Sequence, residues 1–394
     1  MTNIWNGVIP EKAILDWRRH FHANPELSFE ETGTSQFIYD TLKSFPALEV
    51  LRPTKTSVVA ILKGGAGNGK TIALRADIDA LPVTEETDLP CKSTVPGVMH
   101  ACGHDTHAAM LLGAASVLSG LQKDLRGTVK FIFQHAEEKP PGGAAELMAS
   151  GVLDDVEKIY GLHIFPGFKT GSIGIIRGIA TSAADGFFLK IQGRGSHASM
   201  PQLAIDPIMI GSQIVTALYQ IVSRNVAPGE NAVLSMGEFT SGEMPNVIPD
   251  TAKLSASIRT ETPANRKLME TRVKALIDGI CTMHGATYKL DYILGYDAVY
   301  NSEEPCDDVK QAALTALGEA YYFETAKLSG SEDFAAYTAK IPGCWVILGG
   351  GTADDGCNYA NHNPRFTIIE EALFNGTKTE VQLVLDQLGD HKEG

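Results

Sequence analysis

The chain has 394 residues, of which 44 % are hydrophobic and 20 % charged, and a formal net charge of −14. That length suggests two or three domains and a core large enough to need neither disulfides nor structural metals, so metal ligands, where present, point to chemistry. The composition excludes disorder, the acidic balance argues against nucleic acid and anionic membranes as partners, and no apolar stretch reaches membrane-spanning length.

Residues 1–10 carry neither the basic nor the apolar region of a signal peptide. The six cysteines are scattered without the spacing of a zinc finger or a redox motif. The expectation is a cytoplasmic protein with reduced thiols. Residues 57–62 and 71–74 then read as strands. Residues 108–118 read as a buried helix, and 128–133 and 158–162 as further strands. Alternating strands and helices predict an α/β layer architecture with a mixed sheet.

The rhythm changes in the middle of the chain. Residues 187–192 read as a strand. Asp206 caps a helix that has Pro207 at its first position, where the missing N–H costs nothing. Strands follow at 232–239 and 253–258. Thr262 and Pro263 open a second helix ending near Gly285, and 287–292 is the last strand of the segment. The order β-α-β-β-α-β predicts a ferredoxin-like α+β unit inserted at 183–297. The flanking ranges, 1–182 and 298–394, would form one discontinuous catalytic domain, completed by a helix at 307–319 and a strand at 345–348.

Residues Gly64-Gly65-Ala66-Gly67-Asn68-Gly69-Lys70-Thr71 match the phosphate-binding loop pattern letter for letter. That loop must open a helix whose N-terminus receives phosphate. Here strand-like residues follow, so the run is read as a glycine-rich hairpin turn.

Potential ligands gather just past the apolar strands. Arg75-Ala76-Asp77-Ile78-Asp79 follows one strand and Gln134-His135-Ala136-Glu137-Glu138 another. His163 ends a third, and His362 follows the 345–348 strand across a glycine-rich loop. Open α/β sheets bind ligands at the carboxyl ends of their strands, so one sheet edge would collect these groups. Cys102 and His104 flank Gly103 where a loop enters the 108–118 helix. They converge only in a non-helical bend, which glycine permits, and the positive helix end would favour a thiolate at Cys102. Thiolate, imidazole and carboxylate together suit a first-row divalent metal. Glu137 and Glu138, as neighbours on extended backbone, would point opposite ways. One can then bind metal while the other moves a proton. Of the remaining histidines, His20 and His22 are read as structural or supporting, His107 as a helix residue, and His284 and His391 as surface groups. Cys91, Cys281, Cys306, Cys344 and Cys357 are read as ordinary thiols.

Several stretches, in order along nearly the whole chain, carry a family resemblance. They are His22-Ala23-Asn24-Pro25-Glu26-Leu27-Ser28-Phe29-Glu30-Glu31, Leu74-Arg75-Ala76-Asp77-Ile78-Asp79-Ala80-Leu81-Pro82 and Met99-His100-Ala101-Cys102-Gly103-His104-Asp105. Gly161-Leu162-His163, Gly193-Arg194-Gly195-Ser196-His197-Ala198, Asn246-Val247-Ile248-Pro249, Ser331-Glu332-Asp333-Phe334 and Asn361-His362-Asn363-Pro364 follow. Together they resemble the M20 metallopeptidases, in particular the amidohydrolase branch with the aminoacylases, hippurate hydrolases and auxin-conjugate hydrolases.

The resemblance implies a zinc-peptidase-like catalytic domain holding two divalent ions, manganese or zinc, with nickel or cobalt as further options. It implies ligands at Cys102, His104, Glu138, His163 and His362, with Asp77 behind them and Glu137 as general base. It also implies a ferredoxin-like lid through which a homodimer or higher oligomer forms. There His197 would stabilise the oxyanion, often at a partner's active site, and Asn246 and Arg259 would hold a substrate carboxylate. The chain departs from many relatives in carrying His135 where they have Pro, and in its loop Lys139-Pro140-Pro141-Gly142-Gly143. Wider M20 peptidases have His in place of Arg75 and Asp in place of Cys102, which favours the amidohydrolase branch. The expected reaction is hydrolysis of the amide of an N-acyl-L-amino acid by metal-activated water. A dipeptidase or carboxypeptidase of the same chemistry is the nearest alternative, and a non-catalytic metal-binding or redox protein the more distant one.

Overall fold

The computed structural model describes residues 7–389, so His391 and the first six residues lie outside the description. Among the described residues no helix is long and apolar enough to cross a membrane. The chain divides into two compact units. The first holds residues up to Ala180, Val299–Lys327 and everything from Asp333 onward, and the second holds Thr181–Ala298 and Leu328–Glu332. The short segment 328–332 lies outside the range that the element order marks, because it carries no periodic pattern of its own.

The first passage forms α1 (Glu11–Ala23), α2 (Thr32–Lys43), β1 (Leu48–Leu51), β2 (Val58–Lys63), β3 (Thr71–Asp77), α3 (His104–Gly120), β4 (Thr128–Gln134), α4 (Gly143–Ala149), β5 (Lys158–Phe165), β6 (Ile173–Ile175) and β7 (Gly178–Ile179). The second unit contributes β8 (Ala183–Gln192), β9 (Ser196–His197), α5 (Pro207–Asn225), β10 (Ala232–Thr240), β11 (Val247–Ile248), β12 (Thr251–Thr260), α6 (Pro263–Met283) and β13 (Thr287–Leu294). The chain returns through β14 (Tyr300–Asn301), α7 (Glu303–Leu317), β15 (Tyr322–Glu324), α8 (Ala335–Thr338), β16 (Gly343–Gly349) and α9 (Ala372–Leu388).

The first unit is built on a mixed eight-stranded sheet in the order β1-β2-β4-β3-β5-β16-β6-β15. Its four central strands, β4, β3, β5 and β16, run parallel. Their carboxyl ends therefore share one edge. The strands outrun the apolar runs that announce them: β3 continues to Asp77 and β5 to Phe165, so His163 lies inside its strand. Neighbours carry the ladder on, with Asp77 opposite Gln134 and His163 opposite Ile347. Helix α3 packs against α1, α9 and β3 and is buried on nearly every face. It starts at His104, four residues before its apolar pattern does, because its first turn buries polar side chains that bond laterally.

The glycine run after β2 is not a hairpin. β4 lies between β2 and β3, antiparallel to the first and parallel to the second, so the turn has to arch past it. A Cβ on Gly64 would stand 2.1 Å from the carbonyl oxygen of Leu125. Close backbone approach explains the glycine, and β3 follows where a phosphate-binding loop would need a helix.

The second unit has a four-stranded antiparallel sheet, order β10-β12-β8-β13. With α5 and α6 this is the ferredoxin-like β-α-β-β-α-β arrangement. Asp206 caps α5 by accepting from the N–H groups of Ile208 and Met209, and Thr262 caps α6 by accepting from Asn265. Ile210, Ile214, Leu218 and Ile221 of α5, at helical spacing, meet Phe187, Leu189 and Ile191 of β8 in one core.

Candidate metal centre

Each expected ligand reaches the sheet edge by a separate route. Gly103 caps α3 at φ +90°, where a Cβ would stand 2.5 Å from Ile164. That left-handed bend lets Cys102 and His104 face the same point. His163 projects from β5, two residues before its end. His362 sits at φ +70° in the loop after β16, and its N–H donates to the carbonyl of Ala101. Asn361 beside it donates to the carbonyls of Cys102 (3.0 Å) and Ile164 (3.2 Å). The two loops are thereby stitched to each other and to β5.

The donor atoms form overlapping groups. Those of Cys102, His104 and His163 lie within 4.8 Å of one another, as do those of Cys102, Glu138 and His362, and those of His104, Glu137 and Glu138. All six residues singled out from the sequence are thus brought together, and Cys102 belongs to two of the groups. Cys102 Sγ is 3.4 Å from His163 Nε2, and His362 Nε2 is 3.1 Å from Glu138 Oε1. Glu137 and Glu138 do not part as strand neighbours would: β4 has ended at Gln134, Ala136 sits at φ +51°, and both carboxylates reach the same group with His104.

The donor chemistry fits a cation. His104 Nε2 is buried without a hydrogen-bond partner. Buried polar atoms of this kind are costly unless a ligand completes them. His163 donates from Nδ1 to the carbonyl of Ile164 (3.0 Å), which leaves the Nε2 lone pair facing Cys102. Burial, with the nearby His107, pushes the His163 imidazole well below its usual range, so it is neutral as a ligand must be. Burial also opposes charge on His104, yet Asp77, Asp79 and Glu138 outweigh it and raise that imidazole to about 10.

The thiol departs from expectation. Burial first, then Glu138, Glu137 and Asp77, push Cys102 well above the usual range. Burial and these carboxylates oppose a thiolate more than the positive end of α3 favours one. Only a cation among those carboxylates would draw the proton off.

Behind these groups lies a buried network, of which the resemblance implies a supporting role for Asp77 alone. Asp77 accepts from His107 Nδ1 (2.5 Å) and from Arg75 (2.6 Å), while His107 Nε2 accepts from the N–H of Ile164. His107 is a helix residue as expected, and also a brace between β3 and β5. Asp79 is the nearer support of His104, at 3.2 Å from its Nδ1 against 3.8 Å for Asp77. Arg75 also donates to Gln134 and Asp333, and the N–H of Asp333 points at Glu137 Oε1 (3.4 Å). His22 bonds Asp105 (2.9 Å), which also receives Arg18, whereas His20 stacks on Phe37. The adjacent D-I-D pair was a legible signal for Asp79. Nothing in the spacing announces Asp333. All six cysteines are free, although Cys306 and Cys344, far apart in sequence, have their sulfurs 3.6 Å apart.

In the second unit, β9 pairs with β11 so that His197 lies opposite Val247, and the N–H of Ala198 donates to the carbonyl of Asn246. His197 and Asn246 are neighbours. His197 Nδ1 accepts from the backbone N–H of Ser199, so Nε2 is the N–H donor. Arg259 is not with them. It stands opposite Ala184 at the far end of β12, eight residues beyond Thr251, roughly 26 Å of strand away. Within one copy of this unit, Arg259 thus lies at the other end of β12 from the turn that joins it to β11, the strand just after Asn246.

The model of peptidase family M20/M25/M40 matches residues 73–386. The N-acyl-L-amino acid amidohydrolase of Geobacillus stearothermophilus is 47 % identical over 291 residues, 74 % of this chain and 78 % of that one. Thermostable carboxypeptidase 2 of Saccharolobus solfataricus is 37 % identical over 382 residues, 95 % of this chain and 96 % of that one. The crystal structure of a Bacillus subtilis protein, described as a dinuclear metal-binding peptidase from the M20 family, aligns with a TM-score of 0.81 and 34 % identity. It covers 95 % of this chain and 98 % of that one.

Proposed function

The chain belongs to peptidase family M20/M25/M40, and from that premise we propose that this hydrolase cleaves the amide of N-acyl-L-amino acids, releasing a carboxylic acid and a free amino acid. The observation that carries the mechanism is the meeting of Glu137 with His104 and Glu138 at the sheet edge. Cys102, His104, Glu138, His163 and His362 are assigned as ligands of two divalent ions, manganese or zinc, with nickel and cobalt also suited to these donors. When bound, such ions supply Lewis acidity that makes water a nucleophile near neutral pH.

Every other step belongs to side chains. Glu137, buried and held by the N–H of Asp333, takes the proton of the attacking water and returns it to the leaving amine nitrogen. Asp79 and Asp77 keep His104 and His107 oriented. His197, donating from Nε2, is assigned to the developing oxyanion. Asn246 and Arg259 are assigned to the substrate carboxylate. Because β12 separates those two residues, we assign them to different copies of the chain in a homo-oligomer.

The amidohydrolase relative supports the N-acyl substrate, and the carboxypeptidase relative supports a peptide as the second reading. Rates on a panel of N-acetyl amino acids and on the matching dipeptides, with metal-reconstituted protein, decide between them. Faster turnover of the acetylated series is expected, and dipeptides turned over far faster would sink the aminoacylase reading. Glu137→Gln should keep metal stoichiometry and lower kcat by about 10²–10⁴-fold. Wild-type turnover in that variant removes Glu137 as the base.

A further inference from the structure

The stretch 28–31 belongs to the resemblance but has no part in the proposed chemistry, and the structure shows where its polar groups go. Glu31 is fully buried. Its Oε1 accepts from the backbone N–H of Ala136 at 2.8 Å and of Phe29 at 3.0 Å, and its Oε2 accepts from the Thr56 hydroxyl at 2.9 Å. Ser28 donates to Asp79 Oδ2 at 2.6 Å, and that same oxygen accepts the N–H of Glu138 at 3.0 Å. Phe29, itself at φ +70°, sets its ring edge-on to His135. The turn therefore grips residues 135–138 on both sides of Glu137.

The grip matters because of the backbone it holds. Ala136 sits at φ +51°, a left-handed conformation that is unfavourable for a residue with a Cβ when nothing compensates. A residue stays there only when its surroundings over-determine it. This one residue turns the chain at the end of β4 and so sets where Glu137 and Glu138 point, which is to one group with His104. We propose that Glu31 is a positioning residue for the hydrolysis: by accepting the N–H of Ala136 it locks the bend that aims Glu137 at the proton it moves. The inference rests on the reading of Glu137 as the base.

Three variants test it in the full-length, metal-reconstituted protein. Glu31→Ala should lower kcat by about 100-fold, the cost of a misplacement near 1 Å, while KM and metal stoichiometry stay at wild-type values. Glu31→Gln should keep most of the activity. Its amide oxygen can still accept both N–H groups, and its NH₂ can donate to Thr56, whose hydroxyl also accepts. Ala136→Gly should lower kcat while Tm holds or rises, because glycine relieves the left-handed strain and frees the bend.

Wild-type kcat in Glu31→Ala, or a loss matching only its unfolded fraction, overturns the proposal. So does a Glu31→Gln variant as slow as the alanine one, which would mean that the charge and not the acceptor matters. Should Glu31→Ala fail to fold, Ala136→Gly decides: unchanged kcat there overturns the proposal. The two readings fail separately. A dead Glu137→Gln beside a fully active Glu31→Ala removes only the positioning role, whereas an active Glu137→Gln removes the base itself.

Discussion

At the edge of the first unit's sheet, His104 has one ring nitrogen on Asp79 and the other buried with no hydrogen-bond partner. In the second unit, His197 is exposed, and its Nδ1 is held by Ser199 just two residues away. The first histidine is fixed by groups from three separate strands and loops, the second by its own turn. The same contrast separates Asp77 and Asp79, each with several buried donors, from Arg259, whose NH1 donates to Ser257 and to the carbonyl of Ile258 on its own strand. Buried polar groups must be completed by the fold, so a metal centre can be set before anything binds. Exposed groups on short loops keep their freedom and lose it on meeting substrate.

The contrast breaks most sharply at Asp79. Asp79→Asn leaves a weaker acceptor for His104 and for the N–H of Glu138 while changing almost no volume. Metal affinity should weaken by about 10–100-fold, with kcat largely recovered at saturating metal. Competition with a chromophoric chelator measures it. Unchanged affinity would mean that the buried network is scaffolding and that the ligands orient themselves.

That network also marks the limit of what the sequence announces. The ligands are legible because apolar strands end where polar groups begin, and parallel strands put those ends on one edge. Glu137 and Glu138 could be singled out, but by the wrong geometry, since strand alternation was invoked where a left-handed alanine does the turning. Asp333 and Glu31 act on backbone N–H groups or loops more than a hundred residues away. Such contacts leave no period and no spacing. In the second unit the two helix caps were readable from Asp206-Pro207 and Thr262-Pro263. The separation of Arg259 from Asn246 was not, because it depends on strand register, which local sequence leaves open.

A smaller effect follows from protons. In the metal-free protein His104 titrates near 10 and Cys102 lies well above its usual range, so both carry protons at neutral pH. Metal must displace them. Apparent affinity should therefore tighten with rising pH, by about tenfold per pH unit for each proton released. Metal-free stability runs the other way. The His104 contribution is complete below the ordinary imidazole pKa of about 6.5 and is lost as pH rises through about 10. Chelator competition at several pH values, beside thermal melts of the stripped protein, checks both signs. A pH-independent affinity would show that the ligands are already deprotonated.

The smallest expected signal probes the second unit. If Arg259 and Asn246 serve one substrate from two copies, two damaged copies can repair each other. Glu137→Gln removes the base and leaves His197 intact, while His197→Ala does the reverse. Each alone should be nearly inactive. Coexpressed with different tags and purified for the mixed species, they should regain part of the wild-type activity, since one assembled site then has an intact base and an intact His197. The recovery is partial by construction, because the complementary site in the same pair carries both defects. A mixed species as inactive as its parents would place Glu137 and His197 at the service of a single copy.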